Sequence, residues 1–373
     1  MNTFELIEKH GDDHEQVIFC RNKEAGLRAI IAIHNTALGP ALGGTRMWNY
    51  KSEEEALVDV LRLSKGMTYK AAAAGLNLGG GKAVIIGDPK MDKTEEMFRA
   101  FGAHVNSLGG QYITAEDVGT TVKDMEYVFM ETPFVTGIPS AFGGSGDPSP
   151  YTAHGVYMAI KASVKEKLGA DKLTGVRVSV QGLGSVGHHL VEFLFNEGAE
   201  ISVADIDVDR VKSISDKYKV KIVDPSEIVT RECDVLSPCA LGAVINDQTI
   251  GKLKCKIICG GANNQLAEHR HGDALRELGI LYAPDFVANA GGLMNVFVEL
   301  EGYSSNRAFD KTKEVYDGMM NIFKTAKKEN IPTHVAANRL AERRLAMIGG
   351  LRQHHQGRMA RPFSTLKEMT LRR

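Results

Sequence analysis

Two lysines bracket a short apolar stretch: Lys70 precedes Ala71-Ala72-Ala73-Ala74, and Gly79-Gly80-Gly81 leads directly into Lys82. Glycine lets a backbone come close to a ligand and take angles closed to other residues. Burial among apolar groups makes a lysine give up its proton more readily, so that it can act as a general base, and a second cation nearby works in the same sense. The pattern suits one lysine that holds an anionic substrate group and one that moves protons. The glycines are equally compatible with a strand-entry turn before Ala83-Val84-Ile85-Ile86 that leaves Lys82 exposed. A Walker-type phosphate loop is excluded, because Leu76 stands where that loop needs glycine and Ala83 where it needs Ser or Thr. Further on, Thr114-Ala115-Glu116-Asp117-Val118-Gly119-Thr120-Thr121 places two carboxylates after an apolar strand signal. They read either as helix-capping acids or as a carboxylate facing Lys82 across a cleft.

A second constellation is Gly182-Leu183-Gly184-Ser185-Val186-Gly187. It follows the strand pattern Val176–Gln181, opens a helix, and is succeeded by a strand ending in Asp205. In such a unit the first glycine makes a tight turn, the second admits a pyrophosphate, and the third packs helix on strand. The helix N-terminus offers N–H groups to the phosphates. Asp205 is placed to accept ribose hydroxyls and to repel a 2′-phosphate, which favours NAD over NADP. Gly260-Gly261-Ala262-Asn263-Asn264-Gln265 and Asn289-Ala290-Gly291-Gly292 each follow a strand or apolar signal. Their amides are placed either to hold polar groups of a cofactor or to stabilise loops. Asp205-Ile206-Asp207-Val208-Asp209 is not a calcium loop, since Arg210 replaces the required glycine. His269 and His271 lack the company of a metal site, and no metal is expected.

These groups need a scaffold. The chain has 373 residues, enough for two domains, with 43% hydrophobic and 24% charged residues. A net charge of -1 argues against nucleic acid as a partner, and the locally basic stretch from Arg352 to Arg373 reads as a solvated tail or a subunit contact. No apolar run has the length of a membrane span. Met1–Glu5 lacks the features of a secretory signal. The 5 cysteines form no C-x-x-C and are odd in number, which fits a reducing cytoplasm.

Gln16–Cys20 and Leu27–Ile33 read as a hairpin, Glu53–Lys65 as an amphipathic helix, Val84–Ile86 as a buried strand, Thr94–Leu108 as a helix and Gln111–Thr114 as a strand. The breaker-rich Gly143–Pro150 reads as a hinge or cleft loop. After a helix over Thr152–Leu168, strands at Arg177–Gln181, Glu200–Ala204, Val235–Ser237, Lys256–Cys259 and Ile280–Tyr282 alternate with helices. This predicts an α/β protein of two domains: an N-terminal α/β domain for substrate and oligomerisation (1–140, joined by 333–373), and a Rossmann-type, doubly wound parallel sheet (141–332), with a cleft between them. Asp310–Ile348 is expected to be helical and to return to the first domain.

Several longer motifs coincide with one family: Leu38-Gly39-Pro40-Ala41-Leu42-Gly43-Gly44-Thr45-Arg46, Gly66-Met67-Thr68-Tyr69-Lys70, Gly79-Gly80-Gly81-Lys82, Ala115-Glu116-Asp117-Val118-Gly119, Pro238-Cys239-Ala240-Leu241-Gly242 and Asn289-Ala290-Gly291-Gly292. Over nearly its whole length the chain resembles the glutamate/leucine/phenylalanine/valine group of amino-acid dehydrogenases. The resemblance implies a reversible, NAD-dependent oxidative deamination of an L-amino acid to a 2-oxo acid and ammonia, in a cytoplasmic homo-oligomer, an octamer. It makes Lys70 the carboxylate-binding residue, aided by Gly43, Gly44 and Met67. It makes Lys82 the general base and Asp117 the proton shuttle. It puts Thr152 and Asn289 near the nicotinamide and Asn263 along the cofactor site. The matching side-chain pocket, Leu42, Ala115, Leu293 and Val296, is apolar throughout, so leucine, valine and isoleucine are the expected substrates. Leu293 leans toward the aromatic relatives, which leaves phenylalanine as the alternative. A catalytically silent nucleotide-binding protein would have no use for Lys70, Lys82 and Asp117 together.

Overall fold

The computed structural model describes residues 2–353 except Asp12 and Leu241, so the basic tail beginning at Arg352 falls almost wholly outside the described residues. The chain divides into two compact units. The first holds the chain through Asp147 together with Val296–Ser305 and the stretch from Ala341 on; the second holds Pro148–Asn295 and Asn306–Leu340.

In the first unit, β1 (Gln16–Asn22) and β2 (Leu27–Asn35) form the expected antiparallel hairpin. They are followed by β3 (Ala41–Leu42), β4 (Thr45–Trp48), β5 (Gly79–Ile86) and β6 (Tyr112–Ile113). The sheet order is β1-β2-β5-β3-β6, with β4 also paired to β5. Alternation along β2 and β5 sends side chains to two faces. Ile31, Ile33, Ala83 and Ile85 pack with Phe98 and Phe101 of the helix Glu95–Ser107 and with Met125 and Val128 of the helix Val122–Phe129. Ile30, Ala32 and Val84 pack with Leu57, Val60 and Leu61 of the helix Glu53–Ala73.

The helix Glu53–Ala73 starts at Ser52, whose side chain accepts the Glu55 N–H, and carries three glutamates in its first turn. Both features favour a helix N-terminus. It runs beyond the expected end at Lys65 and so carries Met67 and Lys70. The three glycines are not a turn. They are the buried first half of β5.

In the second unit, β7 (Arg177–Gln181), β8 (Glu200–Ala204), β9 (Lys221–Ile222), β10 (Cys233–Pro238), β11 (Cys255–Ile258) and β12 (Leu281–Tyr282) form one all-parallel sheet in the order β12-β11-β10-β7-β8-β9. The order reverses between β7 and β10, the switch point at which doubly wound sheets bind ligands. β9 was not foreseen, because it is a two-residue, exposed edge strand. Two other expectations are corrected. Ser149-Pro150 belong to the first turn of the helix Ser149–Leu168 rather than to a loop, since proline is tolerated there. The Asp310–Ile348 stretch is broken into the helices Ser305–Thr312, Glu314–Glu329 and Thr333–Gln353. Asn330, in a left-handed conformation, caps the second of these, and Pro332 stands just before the third.

Candidate active site

Lys82 sits mid-strand in β5 and is only 5% exposed, so the reading of an exposed lysine after a turn is overturned. Its Nζ lies 3.0 Å from Oδ1 of Asp117. Nor is Asp117 a helix cap: that role belongs to Thr121 and Asp124, which form a capping box at the helix Val122–Phe129. The Asp117 N–H donates to the Thr120 hydroxyl at 2.9 Å, and that hydroxyl donates to the Thr45 carbonyl at 2.8 Å. Burial pushes the Asp117 carboxyl up, but Lys82 and Arg46 overcome it and hold the group below the usual carboxylate range. Sequence reasoning left out Arg46, whose Nε donates to Oδ2 of Asp117 at 3.1 Å. Its signal is visible only once β4 and β5 are paired.

The glycines close the site by chain-on-chain packing. A Cβ on Gly80 would meet the Thr68 amide nitrogen at 2.1 Å, and one on Gly81 would meet the Tyr112 ring at 2.8 Å. One on Gly43 would meet the Gly81 carbonyl oxygen at 1.8 Å and the Met67 side chain at 3.3 Å. One on Gly44 would meet the Glu116 carbonyl oxygen at 2.3 Å and the Asp117 side chain at 2.9 Å. Met67, Gly43, Gly44, Gly81 and Asp117 are therefore immediate neighbours beside Lys82. Lys70 lies one turn after Met67 on the same helical face. The Gly43 carbonyl is held by the Tyr112 hydroxyl, which donates to it at 2.6 Å. Leu42 pairs with Gly80 and Ile113, and the Ala115 carbonyl accepts the Thr45 N–H. Val296 is in the first unit and Leu293 in the second, three residues apart on the helix Gly291–Leu300.

Glu116, next to Asp117, is pushed up to about 7 by burial and by the carboxylates of Asp147, Asp117 and Asp124. A raised folded value means that ionising Glu116 costs stability as pH climbs from its ordinary range through about 7. Glu116→Gln is accordingly expected to raise the melting temperature at about pH 8 and to leave it nearly unchanged at about pH 4. Thermal melts at the two pH values check this; an equal shift at both would show that Glu116 carries no such penalty.

In the second unit, Gly182 turns at the end of β7 with φ +91°, and a Cβ there would strike Ala240, just past β10. A Cβ on Gly187 would lie 2.0 Å from the Gly182 carbonyl oxygen, so this glycine does allow close packing of helix on strand. A Cβ on Gly184 would meet nothing within 4 Å, which leaves its backbone open to a ligand. Leu183 is buried, and Ser185 and Val186 open the helix Ser185–Asn196. Asp205, directly after β8, accepts the Leu183 N–H at 2.6 Å and the Asp207 N–H at 2.9 Å. Burial opposes its charge, but these bonds and Arg210 hold it below the usual range. Asn289 donates from Nδ2 to Oδ1 of Asn263 at 2.7 Å. Thr152, in the first turn of its helix, lies against Gly291 and Gly292. The residues therefore suit a dinucleotide: open backbone at the phosphate turn, an anionic carboxylate after the second strand, and amides past β11.

His271 has a structural part. Its Nδ1 accepts the Glu268 N–H, and its Nε2 faces Asp247 at 3.1 Å. Among the described residues the one grouping of metal-type side chains is Asp13, His14 and His34, and there the Lys65 ammonium lies 2.6 Å from Asp13.

A parallel sheet in this strand order, with the glycine fingerprint and the acid at the carboxyl ends of its strands, defines a dinucleotide-binding α/β protein. Comparison with known proteins narrows the class. Residues 14–134 match "Glu/Leu/Phe/Val dehydrogenase, dimerisation domain", and residues 143–208 and 206–353 match "Glutamate/Leucine/Phenylalanine/Valine dehydrogenase". The chain belongs to this family. It is 58% identical to the leucine dehydrogenase of Geobacillus stearothermophilus, over 92% of this chain and 94% of that one. It is 49% identical to the phenylalanine dehydrogenase of Bacillus thermotolerans, over 96% and 94%. The crystal structure of L-tryptophan dehydrogenase from Nostoc punctiforme superposes with a TM-score of 0.81 at 43% identity, covering 92% of this chain and 99% of that one. The protein is an amino-acid dehydrogenase, an enzyme class that works with a nicotinamide cofactor.

Proposed function

We propose that this enzyme carries out the reversible, NAD-dependent oxidative deamination of leucine, valine and isoleucine to their 2-oxo acids and ammonia. The observation that carries the proton chemistry is the buried Lys82–Asp117 pair, 3.0 Å apart beside Gly43 and Gly44. Lys70 holds the substrate carboxylate, with the backbone at Gly43-Gly44 and the Met67 side chain completing the seat. Leu42, Ala115, Leu293 and Val296 receive the side chain. All four are apolar and buried, so a distal carboxylate would find no counter-charge among them.

The cofactor is held by Gly182–Gly187, Asp205, Thr152, Asn263 and Asn289, and Asp205, held anionic, favours NAD over its 2′-phosphorylated form. When bound, the nicotinamide takes the hydride released from the substrate Cα. The remaining chemistry falls to this chain's own groups. Lys82, in its neutral form, takes a proton from water as the water adds to the imino carbon. Asp117, 3.0 Å from that lysine, passes the proton on from the Lys82 ammonium to the amino nitrogen, and the carbinolamine hydroxyl gives its own proton to the neutral Lys82 as the carbonyl forms and ammonia leaves. Burial of Lys82 and its fixed partner keep the proton path short and free of competing water.

Residues 1–140 with 333–373 are read as the substrate and oligomerisation domain and 141–332 as the NAD-binding domain. The family description of the N-terminal part as a dimerisation domain supports a homo-oligomer; an octamer in the cytoplasm is what the resemblance implies. No helix among the described residues is long and apolar enough to cross a membrane.

The test follows NADH absorbance with purified enzyme, NAD⁺ or NADP⁺, and a panel of L-amino acids at alkaline pH. One methylene in an apolar pocket is worth only about 1–3 kcal/mol, so the three branched substrates are expected within about a hundredfold of one another in kcat/KM. All three should exceed phenylalanine and glutamate, and NAD⁺ should exceed NADP⁺. A preference for phenylalanine would replace the branched-chain reading by the aromatic one, and no reduction with any amino acid would refute both.

A further inference from the structure

We propose that Arg46 is a positioning residue that sets the charge balance of the Lys82–Asp117 pair, with Asp59 as the acid that holds Arg46 in place. This rests on the reading of Lys82 and Asp117 as the proton-transfer pair. Arg46 lies on β4 opposite Val84 of β5, and Lys82 precedes Val84 by two residues. Arg46 and Lys82 therefore project from the same face of the sheet. Each takes a different oxygen of one carboxylate: Lys82 Nζ is 3.0 Å from Oδ1, and Arg46 Nε is 3.1 Å from Oδ2. The far side of the guanidinium, Nη1, donates to Oδ2 of Asp59 at 2.9 Å. Asp59 also accepts from the Tyr50 hydroxyl at 2.8 Å and from Arg62 at 2.8 Å. The chain Lys82–Asp117–Arg46–Asp59 thus runs from the strand that carries the base to the helix that carries Lys70.

The chemical need is plain. A lysine paired alone with a buried carboxylate is held in its charged form, since an opposite charge within about 4–6 Å favours the ion. A base so held cannot take a proton. A permanent cation on the other carboxylate oxygen weakens the field that Lys82 feels while keeping Asp117 anionic and aligned. Arginine suits the task because it stays charged and its planar fork can grip two acids at once, whereas a lysine head on a flexible stem cannot reproduce that geometry. Asp59 returns part of the charge, so the two residues oppose one another in effect. Other groups facing the pair are Glu116 beside Asp117 in the chain and the phenols of Tyr50 and Tyr112, each of which feels the Asp117 charge.

The test is the pH profile of kcat for oxidative deamination by the full-length enzyme, comparing Arg46→Gln, Arg46→Lys, Asp59→Asn and Asp117→Asn, with NADH affinity measured by fluorescence as a check on folding. In Arg46→Gln the acid limb is expected to move to higher pH by about one unit or more, because removing a neighbouring cation tightens the hold on the proton. That costs about tenfold in rate per unit on the limb, and the rate recovers toward alkaline pH. Arg46→Lys should fall between Gln and wild type, and Asp59→Asn should move the limb the other way. A uniform loss at every pH in Arg46→Gln, with no displaced limb in Asp59→Asn, would overturn the proposal and leave Arg46 a purely structural residue. Full turnover in Asp117→Asn would instead overturn the proton-transfer reading on which it rests.

Discussion

Lys82→Ala is expected to lower kcat for amino-acid oxidation by about a thousandfold, the middle of the range for a positioned acid–base group, while NADH binding stays within about twofold. The reasoning starts from location. Lys82 is buried in the centre of β5, in the first unit. Gly182–Gly187 and Asp205, which resemble the dinucleotide fingerprint, lie in the second unit. Removing the lysine therefore touches none of the residues proposed to hold the cofactor. It also leaves Asp117 with a partner, since Arg46 still donates to Oδ2 at 3.1 Å. A buried carboxylate stripped of all counter-charge would threaten the fold; one that keeps an arginine does not. Steady-state assays paired with NADH fluorescence titration read the two quantities separately. Turnover within about tenfold of wild type would remove Lys82 from the role of base.

The second unit was legible because its signals are local. A strand, a glycine turn, a helix and an acid follow one another in sequence, and each step of that run predicts the next. The first unit was legible in its residues and less so in its geometry. Gly79-Gly80-Gly81 stood out, but the sequence does not announce the packing that each of them serves: Gly79 lies against the Asn35 carbonyl, Gly80 against Thr68 and Gly81 against Tyr112. Nothing near them in the sequence says that β5 will run under the helix Glu53–Ala73. The end of that helix was placed at Lys65, where the run of apolar residues at helical spacing stops, yet the helix continues through Gly66, which in an exposed position with nothing within 4 Å costs too little to stop a helix fixed by tertiary packing. Arg46 was passed over for a related reason. Its meaning depends on the register of the four-residue strand β4 against β5, where it faces Val84 and so shares a face with Lys82. Asn330 and Pro332 carry a local signal of a break between helices, which the reading of Asp310–Ile348 as one helical stretch did not use.

Gly80→Ala is expected to destabilise the first unit by about 3 kcal/mol or more, at the upper end of overpacking costs, and to lower kcat with it. The added Cβ would lie 2.1 Å from the Thr68 amide nitrogen and 2.2 Å from its hydroxyl oxygen, distances no rotamer change can relieve because one of the atoms is backbone. Either β5 or the helix Glu53–Ala73 has to move. The strand is fixed by β2 on one side and by β3 and β4 on the other, and the helix by Leu57, Val60 and Leu61 against Ile30 and Val84. Any shift that relieves the clash separates the element bearing Lys70 from the element bearing Lys82. The chain has one tryptophan, Trp48, paired with Ile86 across β4 and β5, so its fluorescence during urea unfolding reports on this sheet directly. Gly66→Ala supplies the contrast: on the same helix, exposed and with no neighbour within 4 Å, it should stabilise by about 0.5–1 kcal/mol by restricting the unfolded chain and favouring the helix. Opposite signs from the same substitution at positions 66 and 80 would establish that close packing rather than backbone freedom is what requires glycine at position 80. Equal, small effects at both sites would show that the helix does not press on the strand and that the two lysines are not held at a fixed separation by it.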